Sequence, residues 1–403
     1  MFVIDLSLID ANKTLIFPEL EQLSSFVLER QREALAHAQS VDGFSVRRDE
    51  EHGAEAEPAE PAVGRWGLTS STHEELVTLA EAELRRLLVT DNYDSVNNFI
   101  SLFDAFEKRK EPLYDVYESY KPPIRAKKHT CVGLGFELIR RWRAMDPEFP
   151  GLAKATALLS CEEAVVDVRG YVTNGDCPTA VAEAEKEHVM VGVQIRVDGR
   201  PGLLLADPGY HVPRAVTVMQ DGLYPHTGWF TQTDDQFLKE YSYAFSPHNS
   251  NYVEWRERTT RDGTVKRQTS LVYTARPYLD GVNVTERRNL VYNFRSLLAR
   301  DQKGQLVAGL YFPVGARGKD ASFTLFFDTG AEKRKTKHKF SVFTDEIEIP
   351  QSLSDEIELC NSQMNYPQGE LRRILTKLAK VVSHQPFIEQ MLEINEDICR
   401  ISL

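Results

Sequence analysis

Residues 187–218 read EHVMVGVQIRVDGRPGLLLADPGYHVPRAVTV. From 188 to 197 a valine or isoleucine stands at every second position, which is the alternation typical of a β-strand. Asp198-Gly199 then predicts a two-residue hairpin turn, and the leucines at 203–205 predict the return strand. The stretch therefore predicts an antiparallel β-hairpin that ends in Asp207.

The register of this hairpin places two polar side chains together. A two-residue turn puts Met190 opposite Asp207, so His188 becomes the diagonal neighbour of Asp207 on the same face, within hydrogen-bonding reach. The alternating valines occupy the other face, and Gly192 leaves room beside the polar pair. A histidine beside a carboxylate is the orienting half of a Cys-His-Asp triad. The structural alternative is a strand-end histidine next to an aspartate that only initiates a turn.

Cys131 is the candidate nucleophile. Thr130 predicts a helix N-cap, which places the thiol at the first helical position, where free N–H groups and the helix dipole stabilise a thiolate. Basic residues at 127–129 add positive potential. Positions 135, 138 and 142 share the face of Cys131, so the thiol is expected to point toward packed structure. The alternative is an inert buried cysteine.

The composition is that of a globular protein. The chain has 403 residues, of which 42% are hydrophobic and 27% charged, with a net charge of −12. The negative field disfavours nucleic-acid binding, no apolar run is long enough for a membrane span, and the amino terminus does not resemble a signal peptide. Five cysteines without a C-x-x-C pair argue against a disulfide framework or a zinc ribbon. We therefore expect a cytoplasmic protein without a metal.

The order of elements predicts an α+β fold, because helical periodicity precedes the strand-like runs and further helices follow them. We expect a helix at 16–39 and a disordered acidic linker at about 41–64. Thr72 and Glu75 form a capping box that predicts the start of the next helix. The predicted domains are a helical domain with the nucleophile (1–160), an antiparallel β domain with the histidine and aspartate (161–300), and a carboxy-terminal α/β domain (301–403).

Cys131 on a helix, His188 opening a strand and Asp207 ending the next strand resemble the transglutaminase and arylamine N-acetyltransferase superfamily. The block 187–218 is similar to the acetyltransferase segment that runs histidine, apolar strand, hairpin, apolar strand, D-V-G-F. Over residues 70–300 this resemblance implies a papain-like, arylamine N-acetyltransferase-like fold. In such a fold a helical amino-terminal part packs on an antiparallel β-barrel-like sheet, followed by carboxy-terminal strands and helices. The resemblance also implies that Cys131 accepts the acyl group, His188 acts as its base and Asp207 orients the base.

The chain departs from both branches of this superfamily. It carries Lys-Lys-His-Thr-Cys at 127–131, where the acetyltransferases usually show R-G-G-x-C. The interval from Cys131 to His188 is longer than theirs and closer to that of the transglutaminases. However, no tryptophan follows Cys131, and no acidic calcium loop is evident.

Three functions therefore stay open. The first is a cysteine acyltransferase that moves an acetyl group from acetyl-CoA to an amine through a thioester on Cys131, with a small molecule as acyl acceptor. The second is a transglutaminase-like or papain-like hydrolase that acts on protein amides with the same triad. The third is a non-catalytic interaction protein, with the acidic linker as the segment that meets a protein partner.

Residues outside the triad are candidates for substrate binding. The basic run Lys333 to Lys339 predicts a solvated hairpin turn, and its functional alternative is a contact with the phosphates of coenzyme A. We expect the remaining candidates to shape substrate access beside the nucleophile or in the loops after the hairpin; they are His129, Phe136, Tyr210, His211 and Trp229.

Overall fold

A computed structural model describes most of the chain from residue 66 onward. The described residues belong to one compact unit. The helix predicted at 16–39 and the linker predicted at 41–64 lie outside them, and the division into domains at 160 and 300 stays a prediction. The described ranges are 66–124, 130–174, 188–234, 237–261, 263–315, 321–344 and 349–401.

Ten α-helices lie in these ranges, together with a π-helical turn at Val282–Glu286 and a 3-10 turn at Phe340–Phe343. The α-helices are α1 (Ser70–Thr90), α2 (Val96–Arg109), α3 (Leu113–Ser119), α4 (Cys131–Arg143), α5 (Leu152–Ala155), α6 (Val168–Asn174), α7 (Arg287–Val291), α8 (Gln351–Gln363), α9 (Glu370–Ser383) and α10 (Gln385–Ile401).

The first of these helices begins earlier than predicted. The hydroxyl of Thr69 accepts a hydrogen bond from the backbone N–H of Thr72 at 3.2 Å, and α1 starts at Ser70. The capping box expected at Thr72 and Glu75 is therefore wrong. Several residues before the apolar run are of types that can cap a helix. The Thr-x-x-Glu spacing alone therefore did not identify which of them is the N-cap.

The strands of the described ranges form two sheets. The large sheet has the order β6-β5-β4-β3-β10-β9-β8-β7, with β1 added in parallel to the end of β4, and the small sheet has the order β14-β13-β12-β11-β2. The strands are β1 (Trp66–Leu68), β2 (Tyr93–Asp94), β3 (Thr156–Glu162), β4 (His188–Val197), β5 (Arg200–Ala206), β6 (Val216–Met219), β7 (Phe230–Asp234), β8 (Phe237–Phe245), β9 (Tyr252–Arg261), β10 (Thr264–Tyr273), β11 (Phe294–Arg300), β12 (Leu306–Pro313), β13 (Ser322–Asp328) and β14 (Lys333–Lys339).

The large sheet curls into an antiparallel half-barrel, and the molecule as a whole mixes helix and sheet, as an α+β fold does. Most of the strand pairs are antiparallel and join strands that follow one another along the chain. The predicted α+β class is thus confirmed.

The hairpin β4–β5 has the predicted register. Val197 pairs with Arg200, and the ladder continues without a slip to Val191 opposite Ala206. The turn residues Asp198 and Gly199 have φ angles of 50° and 79°, the positive values that a type I′ turn requires at both positions.

The two faces of the large sheet pack against different partners. On the convex side the valines of β4 meet α4, where Val191 and Val189 lie 3.8 and 3.9 Å from the position of a Cβ on Gly135. The concave side holds a cluster rich in aromatic rings. The room expected beside Gly192 is filled, because a Cβ there would lie 2.3 Å from the side chain of Leu159. That leucine lies on the neighbouring strand β3, opposite Met190, and the periodicity of β4 alone does not report it.

The small sheet packs on α2, α8, α9 and α10 around an apolar cluster. Its edge strand β14 is the basic run Lys333–Lys339, which pairs with β13 along its full length. The hairpin turn predicted for this run is therefore wrong. Lysine is common on edge strands, because its charge discourages pairing with a further strand, so a basic run does not by itself mark a turn.

Candidate functional site

The candidate nucleophile lies at the start of α4. Thr130 has extended backbone angles and α4 begins at Cys131, as predicted. The hydroxyl of Thr130 does not cap the helix; it donates to the carboxylate of Glu286 instead. The first-turn N–H groups beside the thiol thus donate no hydrogen bond to the N-cap side chain, which leaves their partial positive charge directed at the thiol end.

His188 and Asp207 meet on the concave face of the large sheet. The imidazole Nε2 lies 3.0 Å from both carboxylate oxygens, and the two residues are 1% and 2% exposed. A carboxylate can only accept, so Nε2 carries the proton. The backbone N–H of Tyr210 donates to Asp207 Oδ1 at 2.9 Å and fixes the carboxylate. The hydrogen bond that the hairpin register predicts is confirmed.

Cys131 joins this pair through a gap left by a glycine. Its side chain is 2% exposed and lies beside the imidazole of His188, whose Nε2 is the nitrogen that meets the carboxylate. A Cβ on Gly209 would lie 2.6 Å from the Cβ of Cys131 and 2.7 Å from Cε1 of His188. Only a glycine at this position lets the helix start and the strand end approach so closely. The residue type in the Asp-Pro-Gly turn was visible in the sequence, but its role was not.

The charge of His188 is set by two opposing effects. Burial lowers the pKa of the imidazole, but the negative charge and hydrogen bond of Asp207, together with the nearby Cys131, outweigh burial. The pKa of His188 is held well above its usual value, which makes the imidazole a stronger proton acceptor. Such a histidine can hold a proton taken from the thiol.

Aromatic rings support the imidazole from the concave side. The ring of Tyr210 meets His188 edge to face at a centroid distance of 4.9 Å, and Trp255 meets Tyr210 in the same way at 4.8 Å. The hydroxyl of Tyr210 donates to Glu163 at 2.8 Å. Tyr210, a candidate for substrate binding in the sequence, therefore contacts the triad itself and helps to orient His188.

The other candidates for substrate binding are placed differently. His211 is buried, its ring centroid lies 6.0 Å from that of Tyr93, and burial lowers its pKa well below the usual value. Phe136 lies on the exposed face of α4, and the half-exposed Trp229 packs under the guanidinium of Arg258 at 4.8 Å. The structure thus places these two side chains at the surface. His129 lies outside the described residues.

Two site residues were missed in the sequence. Glu286 is fully buried and accepts hydrogen bonds from Thr130 and from Asn98, the latter at 2.5 Å. Burial raises its pKa to about 7. Asn289, three residues later, places Nδ2 3.8 Å from the sulfur of Cys131. Both lie far along the chain from the nucleophile, and no local pattern marks them.

Other features of the described residues point to no second centre. Burial raises the pKa of the Cys161 thiol well above its usual value and that of Cys360 to about 12, which makes both poor nucleophiles. Within the described ranges, no group of three histidine, cysteine or carboxylate side chains could hold a metal ion. None of the helices described is both long and apolar enough to cross a bilayer. A surface cleft of about 750 Å³ between α1 and α4 has a charged lining without the triad residues.

Comparison of the chain with protein-family models, with curated proteins and with solved structures gives no match. The resemblance to the arylamine N-acetyltransferases therefore stays a prediction, and any function has to be argued from the geometry of the site.

Proposed function

We propose that the protein is a cysteine-dependent acyltransferase in which Cys131 carries the acyl group as a thioester. The observation that supports this most directly is the grouping of Cys131, His188 and Asp207: the imidazole bonds to the carboxylate, and the thiol side chain lies beside that imidazole across Gly209. In cysteine enzymes this order of groups activates the sulfur, keeps the base in the correct tautomer and stabilises its charged form.

The first half-reaction acylates the enzyme. His188 takes the thiol proton at Nδ1, and the thiolate of Cys131 attacks the carbonyl carbon of the donor. A C–S bond forms while the carbonyl π electrons move to oxygen. When the carbonyl re-forms, the bond to the leaving group breaks, and the imidazolium returns its proton to that group. For acetyl-CoA, the donor that the resemblance suggests, the leaving group is the coenzyme A thiol.

The second half-reaction releases the acyl group. An amine loses a proton to His188 as its nitrogen attacks the thioester carbonyl, and the sulfur of Cys131 leaves and recovers a proton from the imidazolium. The products are an amide and the free enzyme. If water replaces the amine, the same residues carry out hydrolysis, so the acceptor separates a transferase from a hydrolase.

Intact-mass measurement after mixing with acetyl-CoA tests the proposal. We expect the mass of one acetyl group to be added to the wild type and to Cys399→Ala, which removes an exposed thiol, but not to Cys131→Ala. An adduct that persists in Cys131→Ala, or an unmodified wild type with both acetyl-CoA and p-nitrophenyl acetate, would overturn the proposal. Loss of the adduct that accelerates with added arylamine supports transfer, whereas a rate independent of amine supports hydrolysis.

A further inference from the structure

Asn289 is the polar side chain that the structure adds to the triad from a distant part of the chain. It lies on α7, is partly exposed, and directs its carboxamide nitrogen at the sulfur of Cys131 from 3.8 Å. The same nitrogen donates to the backbone carbonyl of Thr285 at 3.0 Å. Since a backbone carbonyl can only accept, the atom that donates to it must be the nitrogen of the NH₂ group. The second N–H of that group is left to point toward Cys131.

We propose that Asn289 is a further catalytic residue, whose amide N–H donates to the oxyanion that forms when Cys131 attacks an acyl carbonyl. The inference rests on the proposed function and adds a group that neither the motif nor the hairpin register contains. Donors of this kind act where negative charge develops, in a site that is already organised before the reaction.

The distance from Asn289 to the sulfur fits this role. The oxyanion is two bonds away from the sulfur of Cys131, so it can lie between Sγ and a donor 3.8 Å away and reach hydrogen-bonding distance of that donor. In the resting enzyme the contact with sulfur is long and weak. The interaction is therefore stronger in the transition state than in the ground state, which is the condition for raising the rate.

The backbone around Asn289 is held by a buried cation. The guanidinium of Arg295 donates to the carbonyl of Asn289 at 2.5 Å and to the carbonyl of Leu290, and it lies 4.5 Å above the ring of Phe99. Burial lowers the pKa of Arg295 to about 9, which still leaves it charged at neutral pH. A cation on the last carbonyls of a short helix stabilises that end and limits movement of the carboxamide.

The same segment is tied to the nucleophile helix at a second point. Glu286 accepts the hydroxyl hydrogen bond of Thr130, the residue before Cys131, while Asn289 contacts Cys131 itself. Two contacts three residues apart fix the donor relative to the sulfur. Pre-organisation of this kind is what an oxyanion donor needs, because it then requires no rearrangement during the reaction.

Two reactions of the same thiol separate this role from a structural one. Acylation by p-nitrophenyl acetate passes through an oxyanion, whereas alkylation by iodoacetamide is a displacement at a saturated carbon and forms none. A residue that only holds the fold, or only stabilises the thiolate, changes both rates together. An oxyanion donor changes acylation alone.

The experiment compares both rates in the wild type, Asn289→Ala and Asn289→Asp, with Asn283→Ala as the control, since Asn283 is an exposed asparagine on the preceding turn. We expect acylation to fall about 10²- to 10³-fold in both Asn289 variants, while alkylation of Cys131 stays unchanged in Asn289→Ala. Asn289→Asp keeps the shape of the side chain but places an acceptor at the oxyanion; its negative charge beside the thiol also disfavours the thiolate, so we expect alkylation to fall in this variant, but less than acylation.

The outcomes are distinct. Wild-type acylation rates in the Asn289 variants, or an equal fall in acylation and alkylation, would overturn the role of Asn289 and leave the proposed function standing. A wild type that p-nitrophenyl acetate does not acylate at Cys131 would overturn both.

Discussion

The large sheet and the small sheet differ in what they bury. The concave face of the large sheet encloses His188 and Asp207 among aromatic rings, whereas the small sheet and its helices enclose an apolar cluster. A buried charge costs several kcal/mol unless it is paired and hydrogen-bonded, so its presence is a weak argument for stability. Apolar burial stabilises in proportion to its area.

This difference separates the part of the molecule suited to chemistry from the part that supports it. Arg295 on β11 is an exception, because it is a buried charge in the small sheet. Its hydrogen bonds go to α7, which carries Asn289 toward Cys131. The small sheet thus holds the segment that carries Asn289 through a buried cation.

The largest expected effect is on activity, from Asp207→Asn. The backbone N–H of Tyr210 would keep the amide oxygen at the Oδ1 position, which turns the NH₂ group toward Nε2 of His188. The imidazole would then carry its proton on the side of Cys131 and could not accept one. We expect acylation by p-nitrophenyl acetate to fall about 10²- to 10⁴-fold. Circular dichroism should show an unchanged fold.

The same substitution gives a pH readout. Without the charge of Asp207, burial dominates and the pKa of His188 falls, so the imidazole should become neutral at a lower pH than in the wild type, as NMR titration can measure.

A core substitution in the small sheet is the control for the loss of activity expected in Asp207→Asn. Leu310 on β12 is fully buried, and Leu310→Ala should lower the free energy of unfolding by about 2–5 kcal/mol in urea titrations. Its acylation rate per folded molecule should equal that of the wild type. A large loss of acylation rate in Leu310→Ala, with none in Asp207→Asn, would contradict the view that the large sheet holds the reacting groups and the small sheet supports them.

A smaller loss of activity is expected from Gly209→Ala. The added Cβ would overlap Cys131 and His188, and forcing them apart should lower acylation about 10²-fold, as displacements near 1 Å do in active sites. Gly67→Ala is the matched control on β1 of the same sheet, because a Cβ there would meet nothing within 4 Å. Equal acylation rates in the two variants would contradict the close approach at Gly209.

The smallest effect concerns Glu286, which lies on the segment that connects the two sheets. Its pKa is about 7 in the folded protein and near 4.5 when unfolded, so the unfolded chain releases this proton first as pH rises. The contribution of Glu286 to stability is therefore full below about pH 4.5 and is lost as pH approaches 7.

Glu286→Gln has no titrating group; its amide oxygen can accept from Asn98, and its NH₂ group can donate to the Thr130 hydroxyl. We expect its free energy of unfolding to exceed that of the wild type by about 3 kcal/mol more at pH 8 than at pH 4.5, measured by urea denaturation at each pH. A difference between the two proteins that does not change with pH would show that Glu286 is ionised in the fold.

Local rules were sufficient for several features of the site. The alternation of valines and the Asp198-Gly199 turn determine the hairpin and its register, and register alone places His188 beside Asp207. The start of α4 at Cys131 is where the threonine before an apolar helical pattern predicts it, although the Thr130 hydroxyl bonds to Glu286 and does not cap the helix. These features are predictable because each depends on neighbours within about one strand pair or one helical turn.

Only the tertiary structure decided the rest. The gap that Gly209 leaves between Cys131 and His188 depends on how the sheet curls. The contacts of Glu286 and Asn289 with the start of α4 depend on where a distant segment of the chain packs. Periodicity shows which side of a strand or helix is buried, but not what it meets. Contacts between residues more than a hundred positions apart are set by the shared packing of the whole core, because no local preference distinguishes among the many partners that a buried side chain could have.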